Sequence, residues 1–355
     1  MKTFKIGSKE IGDGCPVYIV FEAGQTHTGF ESAKELIDAA SESGADAIKF
    51  QMYDTERLVS SRKVMDVYEV LLDKETGRRE TVKEPLIDSL KRHEFTRDEW
   101  IKLKKHADRR GITFFSTVNF PEEVDFLMGL DVGVFKICSA DVNHHRFIRY
   151  VARRGKPVML DTGSSAVGEV EQAVDVVRSE GNEQIVIHHC PSGYPAHLDS
   201  INLNTIKTLK QMFEYPIAFS DHSPGCNMDI AAVALGVDMI EKTITSDTLI
   251  RDAEHIMSVE TKDAKRLVQD IRELEIALGK CRREMSKEEI LSKQDKRRSI
   301  FAKIDLKPGD VLTESNMDYR RPGTGISVQY ADIALGRKVI SPVKAGTMLK
   351  WTDFQ

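Results

Sequence analysis

Between Val17 and Ile244, eight short apolar segments alternate with longer segments that have helical periodicity. This alternation predicts parallel strands joined by crossover helices. Eight strands over this length favour a closed (β/α)8 TIM barrel, an α/β fold, over an open doubly wound sheet, and GxGxxG is absent after the first strand. The predicted strands are VYIVFEAG, AIKFQM, ITFFST, VFKICS, PVMLDT, IVIHHC, IAFSDH and MIEKTI.

The remaining residues predict a second, smaller domain. The chain has 355 residues, which exceeds the roughly 250 to 300 residues at which a single core stops growing. Residues 280–296 are highly charged and are interpreted as a solvated linker between a barrel at 1–279 and a module at 297–355. That module contains two similar turn-and-strand units, which begin at Lys307 and Lys344, so a small β-rich fold is expected.

One connection in the barrel is unusually long. Residues 54–94 are charged and poorly periodic, unlike the helical segments around them. Long connections in compact domains often carry lids or binding loops. We therefore expect this segment to pass over the mouth of the barrel.

Composition excludes several classes of partner and site. The net charge is -5 with both signs interspersed, so we expect no binding to nucleic acid or to an anionic membrane. The five cysteines form no CxxC pair, which argues against a disulfide framework and indicates a reducing compartment. The N-terminal residues do not resemble a signal peptide and no window approaches a spanning helix, so the sequence predicts a cytoplasmic protein.

Polar residues stand at the carboxyl end of nearly every predicted strand. In a β/α barrel these ends form the active face, whereas a core position would be apolar. Coincidence at so many strand ends is a poor explanation, so the sequence predicts an enzyme active site there. The residues are Glu22, Lys49, Gln51, Ser116, Thr117, Lys136, Ser139, Asp161, Thr162, His188, His189, Asp221, His222, Glu241 and Lys242.

Lys49 and Lys136 lie in otherwise apolar strands, where an unpaired ammonium would be costly to bury. Each therefore requires an anion. With nearby hydroxyl groups, the two lysines suit the phosphate and carboxylate of phosphoenolpyruvate. The alternative is that each lysine pairs with a buried carboxylate such as Glu22 or Asp141, and both interpretations can hold together.

Joining phosphoenolpyruvate to an aldehyde requires a polarised carbonyl, a stabilised alkoxide and an attacking water. Glu22 and Glu241 are the candidates to orient water or move protons. His222 is the best single candidate for a metal ligand, although a neutral imidazole can also serve as a hydrogen-bonding group between strands.

The ordered motifs resemble the sialic acid synthase family, including its legionaminic, pseudaminic and spore-coat polysaccharide relatives. The likeness covers nearly the whole chain and includes a C-terminal antifreeze-like (SAF) domain. The matching segments are EAGQTHTG, IKFQ, FFSTVNF, FKICSAD, LDTGSS, HHCPSGYPA, FSDHSPG, MIEKTITSD, AEHIMS and RRPGTGIS.

The resemblance implies condensation of phosphoenolpyruvate with an N-acylated mannosamine-type sugar, with a divalent metal such as manganese bound by His222. It implies phosphoenolpyruvate contacts at Lys49, Lys136, Thr117 and Ser139. It also implies a domain-swapped homodimer in which the partner's SAF domain covers the barrel. Strand-end position and resemblance together predict catalytic roles for Glu22, Lys49, Lys136 and Glu241, and substrate contacts at Gln51, Thr117, Ser139, Asp161, Thr162 and Asp221. The resemblance alone implies substrate contacts at Tyr194, Glu254 and Arg321.

The sequence departs from the family pattern at several positions. Thr243 stands where the family's EKH motif has a second metal-binding histidine, so either metal affinity falls, another group such as His27 or His255 completes the site, or the aldehyde is polarised differently. Asp161 replaces a serine beside the phosphoenolpyruvate pocket. Two other functions stay open: a Schiff-base aldolase that uses Lys136 or Lys49, and a sugar-binding paralogue without catalysis.

Overall fold

The computed structural model describes residues 2–355, which divide into two compact units. The first unit ends at Gly279 and the second is Lys280–Gln355. Each unit has its own apolar core of buried side chains. The two units are therefore described separately.

The first unit is a closed barrel of eight parallel strands, preceded by an antiparallel hairpin of β1 (Phe4–Ile6) and β2 (Lys9–Ile11). The barrel order is β3, β4, β7, β8, β9, β10, β11, β12, and β12 pairs with β3 to close the sheet. The predicted (β/α)8 barrel is confirmed, and each strand overlaps its predicted segment. The strands are β3 (Tyr18–Glu22), β4 (Ala47–Gln51), β7 (Thr113–Thr117), β8 (Phe135–Ile137), β9 (Val158–Asp161), β10 (Ile185–His189), β11 (Ile217–Asp221) and β12 (Met239–Thr245).

Helices pack around the outside of the barrel through apolar faces. In the first of them, Leu36 and Ile37 are buried and Gly44 ends the helix in a left-handed conformation at φ 87°, as the sequence pattern indicates. The helices of this unit are α1 (Phe30–Ser43), α2 (Thr55–Leu58), α3 (Leu86–Lys91), α4 (Arg97–Arg110), α5 (Pro121–Gly129), α6 (His145–Ala152), α7 (Val167–Ser179), α8 (Leu198–Ile201), α9 (Thr205–Met212), α10 (Asn227–Ala234) and α11 (Thr261–Leu278), and a short strand β13 (Val259–Glu260) pairs with β12.

The long connection after β4 contains an antiparallel hairpin of β5 (Met65–Leu71) and β6 (Arg79–Pro85). The Glu69 N–H donates to the carbonyl of Tyr194, which follows β10, at 3.0 Å. Arg251, which follows β12, binds Glu80 through two nitrogens at 2.7 Å. The hairpin is thus fastened to loops at the carboxyl ends of two barrel strands.

The second unit contains one helix in the segment that we interpreted as a linker. That helix is α12 (Lys287–Lys296); Ser286 and Glu289 form its capping box, and none of its residues is buried. The rest pairs β14 (Ser299–Ala302) with β15 (Met317–Arg320), adds isolated bridges and a short helix α13 (Ala331–Ala334), and encloses a small core. The charged composition of this segment predicted solvent exposure, which is observed. It did not predict the helix.

Two further features bear on the sequence analysis. No helix in residues 2–355 combines the length and apolarity needed to cross a membrane. All five cysteines are free thiols, as their number and spacing suggested. Location in the cytoplasm stays a prediction.

A buried ion cluster joins the barrel wall to α10. Lys242 on β12 is fully buried, with its Nζ atom 2.5 Å from Asp221 and 3.7 Å from Asp229, and it donates to the Ser223 carbonyl at 2.6 Å. Successive strand residues face opposite sides, so Lys242 faces the helices while its neighbour Glu241 faces the barrel interior. The cluster holds the strand end that precedes His222.

Lys242→Met is expected to destabilise the first unit, because it leaves two buried carboxyl groups without their cation. Removal of one partner from a buried pair costs about 3 to 5 kcal/mol. Urea unfolding followed by circular dichroism measures the effect. The matched control is Lys91→Met, which removes an exposed pair with Glu56 and should leave the unfolding midpoint unchanged. Equal midpoints for both variants would contradict the stabilising role of Lys242.

Candidate active site

The carboxyl ends of the barrel strands enclose one polar cavity of about 520 Å³, opening included. Twelve of the fourteen predicted site residues line it; Thr162 and Arg321 do not. The lining residues are Glu22, Lys49, Gln51, Thr117, Lys136, Cys138, Ser139, Asp161, Cys190, Tyr194, Ser220, Asp221, His222, Glu241, Thr243 and Glu254.

Lys49 and Lys136 meet at the floor of this cavity around one carboxylate. Oε1 of Glu241 lies 2.7 Å from the Nζ atom of Lys49 and 2.6 Å from that of Lys136. Glu22 lies 2.7 Å from Lys49, and Asp161 lies 3.0 Å from Lys136. Both lysine side chains are at most 5% exposed, so the two ammonium groups are almost completely removed from bulk water.

This arrangement resolves the alternative that the sequence left open. Each lysine does pair with buried carboxylates, and Glu22 is one of them. Asp141 is not, because its nearest polar partner is the Cys138 thiol at 3.6 Å. The pairing does not exclude an anion site, since both lysines line the cavity.

The two lysines that share this carboxylate have pKa values shifted in opposite directions. Burial lowers the pKa of Lys136, but the charges of Asp161 and Glu241 outweigh it and raise that pKa above its ordinary value. Burial also lowers the pKa of Lys49. The negative charge of Glu241 opposes this shift and the positive charge of Lys136 adds to it, so the net effect is a lowered pKa. Lys136 is therefore held as an ammonium ion, and Lys49 is the easier of the two to deprotonate.

Glu22 is held by its own loop as well as by Lys49. Its Oε1 accepts from the Gly24 N–H at 2.6 Å and from the Gln51 amide at 3.1 Å. A Cβ atom on Gly24 would lie 2.3 Å from that oxygen and 2.4 Å from Cγ of Gln51. Glycine is therefore required at this position because the carboxylate approaches the backbone so closely.

The outer part of the cavity is formed by Glu254, His222 and Tyr194. Glu254 is buried in a left-handed conformation at φ 68°, and burial raises its pKa to about 7. His222 stacks on the ring of Tyr194 with centroids 5.0 Å apart. Burial and the charge of Lys136 lower the pKa of His222 to about 4, so the imidazole is neutral at physiological pH.

The donor atoms in the cavity do not form a metal site of the ordinary kind. Across residues 2–355, no group of three or more His, Cys, Asp or Glu side chains is placed to hold a metal ion. His222 Nδ1 and Thr243 Oγ1 are buried and have no hydrogen-bond partner among those residues, but a hydroxyl is a weak ligand for a transition metal. The residues therefore do not fit the divalent metal that we expected, and the metal itself stays an untested prediction.

Two predicted residues lie outside the cavity lining, and a third, Asp221, lines the cavity but directs its carboxylate to other partners. The Thr162 hydroxyl accepts from the Cys190 N–H at 3.3 Å and lines a neighbouring cavity instead. The Asp221 carboxylate is occupied by Lys242 and by the Ser223 N–H at 2.9 Å, on the face away from Glu241. Arg321 is exposed in the second unit. Strand periodicity explains why the Asp221 carboxylate points away from Glu241: of two consecutive strand residues, Asp221 and His222, only one can face the interior.

His27 and His255 do not complete a metal site in the cavity. His27 stacks on Phe95 with ring centroids 4.2 Å apart and meets His93 edge to face at 5.1 Å. The His255 Nδ1 atom lies 2.7 Å from the Thr245 hydroxyl. Burial, with His93 and His255 nearby, lowers the pKa of His27 to about 3. The two histidines therefore belong to a buried cluster outside the cavity lining.

Of the adjacent pair on β10, only His188 faces the cluster of charges. Its Nδ1 atom lies 3.7 Å from Asp161, whereas the Nε2 atom of His189 contacts the carbonyl of Ile201 at 2.7 Å. This is the alternation that consecutive strand residues must show. The cavity residues that the sequence analysis did not single out are Cys138, Cys190 and Ser220, and Ser220 donates to Glu241 at 3.0 Å.

Comparison with known proteins identifies relatives along the whole chain. Residues 36–283 match the NeuB family, and residues 297–355 match the SAF domain. The chain is 37% identical over 354 residues to an uncharacterized protein of Methanocaldococcus jannaschii, with 99% of each chain covered. It is 33% identical to the N,N'-diacetyllegionaminic acid synthase of Legionella pneumophila, with 98% of each covered.

Solved structures give the same result. The N-acetylneuraminic acid (sialic acid) synthetase of Leptospira borgpetersenii, solved with citrate, superposes with a TM-score of 0.71 at 29% identity. The match covers 82% of this chain and 95% of that one. The spore coat polysaccharide biosynthesis protein SpsE of Bacillus subtilis superposes with a TM-score of 0.66 at 29% identity, covering 100% and 99% of the two chains.

His27→Phe is expected to change how stability depends on pH. The folded pKa of His27 is about 3 and the unfolded value is about 6.5, so the unfolded state binds the extra proton between these values. The stability that this histidine contributes is complete above pH 6.5 and is lost as pH falls. The variant should therefore show a shallower fall in unfolding free energy between pH 6.5 and 4.5, by up to about 1.4 kcal/mol per pH unit.

Urea unfolding at several pH values measures the slope for each protein. His197→Phe is the control, because His197 is exposed and its loss should leave the wild-type slope unchanged. Identical slopes for wild type and His27→Phe would show that His27 titrates normally in the folded protein.

Proposed function

This chain belongs to the NeuB family, and we propose that it condenses phosphoenolpyruvate with the open-chain form of an N-acyl hexosamine-type sugar. The products would be a sialic-acid-like nonulosonate and inorganic phosphate. The observation that carries the proposal is the pair of buried ammonium groups, Lys49 and Lys136, at the floor of the cavity. The curated relatives that carry a functional name include legionaminic, pseudaminic and N-acetylneuraminate-9-phosphate synthases, which supports the same class of reaction.

The two ammonium groups would bind the phosphate and carboxylate of phosphoenolpyruvate. Both ammonium groups contact Oε1 of Glu241. Thr117 and Ser139 add hydroxyl groups to the lining of the same cavity. Charge-assisted hydrogen bonds in a site removed from water are stronger than those between neutral groups. Lys136 is the firmer anion ligand, because its neighbours hold it protonated.

The reaction forms a bond between the methylene carbon of phosphoenolpyruvate and the aldehyde carbon of the sugar. Water then adds to the central carbon of the former enol ester, and that carbon loses phosphate. The attacking water loses both protons: one is matched by the proton that the aldehyde oxygen gains, and the other leaves with the phosphate as the keto group forms. Glu254, whose pKa is about 7, suits donation to the alkoxide, and the Glu22 carboxylate suits acceptance from the water.

The acceptor would lie in the outer part of the cavity. Tyr194 is 43% exposed as a residue and its ring stacks on His222, so the ring can cover one face of a sugar. Thr243 and His222 each present a buried polar atom without a partner among residues 2–355. Both groups can donate hydrogen bonds to the carbonyl oxygen of the acceptor.

A Schiff-base aldolase is the second candidate, and one observation favours it. The downward shift in the pKa of Lys49 increases the fraction of neutral amine that can attack a carbonyl. Borohydride added with pyruvate distinguishes the two. A covalent adduct on Lys49 supports the aldolase, and its absence leaves the synthase. A sugar-binding protein without catalysis would show tight sugar binding and no turnover.

Phosphate release that requires both substrates is the expected activity. A panel of N-acyl hexosamines, including phosphorylated and dideoxy forms, is incubated with phosphoenolpyruvate, and inorganic phosphate is measured. Lys136→Met should reduce the rate by about 100-fold or more, since one lost donor to an oxyanion has this effect. Lys91→Met, an exposed control, should keep the wild-type rate. Failure to release phosphate with any acceptor would refute the proposal.

We also propose that the active form is a domain-swapped homodimer in which Arg321 of one subunit reaches the barrel of the other. The second unit has a small core, and Arg321 is exposed on it. A guanidinium group can bind the acyl carbonyl or hydroxyl groups of a sugar.

Mixing two inactive variants tests this arrangement. Lys136→Met removes a cavity lysine from one subunit, and Arg321→Ala removes the arginine of the other. In a mixed dimer, the subunit with the intact cavity receives the intact Arg321 of its partner, so one of the two sites is complete. Random exchange of equal amounts should restore about a quarter of the wild-type activity. Activity that stays at the level of the separate variants would show that Arg321 acts within its own chain or not at all.

A further inference from the structure

The charges on the cavity floor do not balance. Glu22, Asp161 and Glu241 face only two ammonium groups, those of Lys49 and Lys136. All five side chains are at most 9% exposed. With all of them ionised, the cluster carries one net negative charge before any ligand enters.

An anionic ligand makes this imbalance worse. The phosphate group alone carries about 1.5 to 2 negative charges at neutral pH, and the carboxylate of phosphoenolpyruvate adds one more. Repulsion between like charges is strong where water is excluded. Binding of the ligand is therefore favoured if the cluster gains positive charge, and a proton can supply it.

Of the three carboxylates, Asp161 has the fewest partners that stabilise its negative charge. Oε1 of Glu241 accepts from both lysines and Ser220, and Oε1 of Glu22 accepts from two further donors. Asp161 pairs with one ammonium group, that of Lys136, which lies 3.0 Å from its Oδ1 atom, whereas Glu241 contacts both lysines. Burial raises the pKa of Asp161, against the charge of Lys136.

The other groups around Asp161 are poorer proton acceptors. His188 from β10 is fully buried, and burial and Lys136 lower its pKa well below the ordinary value. The thiols of Cys138 and Cys190 are already protonated, because burial raises their pKa values. The charges of Lys136 and Lys49 outweigh the burial of Glu241 and hold its pKa low.

We propose that Asp161 takes up a proton when phosphoenolpyruvate binds, so that Lys136 is released from it to contact the ligand. The inference rests on the proposed function and adds a specific role for one residue. Neutral Asp161 can also donate its O–H to a ligand oxygen. Because binding then consumes a proton, affinity falls by up to tenfold for each pH unit above the pKa of Asp161 in the free site.

Calorimetry with phosphoenolpyruvate measures the proton directly. Titrations at pH 7 in buffers of different ionisation enthalpy give the number of protons taken up, and repetition from pH 6 to 8.5 gives the pH dependence of affinity. Wild type should take up about one proton more than Asp161→Asn, whose affinity should depend less steeply on pH. The matched control is Asp141→Asn, which removes a carboxyl group near the cavity that contacts no lysine and should match wild type.

Equal proton uptake by wild type and Asp161→Asn overturns the inference while the proposed function stands. No binding of phosphoenolpyruvate to wild type refutes the proposed function itself, so the two failures are distinguishable. Asp161→Ser provides the same comparison if the asparagine variant does not fold, as judged by circular dichroism.

Discussion

The active-site cavity depends on one carboxylate that two buried ammonium groups share. Without Glu241, Lys49 would keep Glu22 and Lys136 would keep Asp161, but the two ammonium groups would lose the carboxylate that contacts both of them. Buried charges of this kind are stable only when partners are close and well oriented. The shared carboxylate therefore lets the barrel carry two cations at the place where phosphoenolpyruvate is proposed to bind.

The strands that supply these groups also explain how the site is kept rigid. On β12, Glu241 faces the interior while Lys242 faces α10 and pairs with Asp221 at the end of β11. Because β11 and β12 are neighbours in register, that outer pair fixes the strand end from which His222 projects inward. The close contact of Glu22 with Gly24 does the same on β3. Internal and external ion pairs thus position the cavity from both sides of the barrel wall.

Strand periodicity and strand-end polarity were sufficient to predict the barrel and most of the cavity residues. They could not predict which carboxylate meets which lysine, since that depends on the register between strands distant in sequence, as for Lys49 and Glu241. They also could not assign the direction of Asp221 or Thr162, because a residue at a strand end can face either side. The helix of residues 287–296 was missed because it has no apolar stripe to bury. The proposed role of Arg321 is a contact between two subunits, which the fold of one barrel does not determine.

Membership of the NeuB family supports the proposed class of reaction, and the departures mark what is particular to this chain. Thr243 leaves the cavity without a three-residue metal site, and Asp161 adds a third acid beside the two lysines. The most direct test of the account is a crystal structure of the protein soaked with phosphoenolpyruvate. The account predicts ligand oxygens within about 3 Å of the Nζ atoms of both Lys49 and Lys136. A ligand bound elsewhere, with both lysines still paired only to their carboxylates, would contradict it.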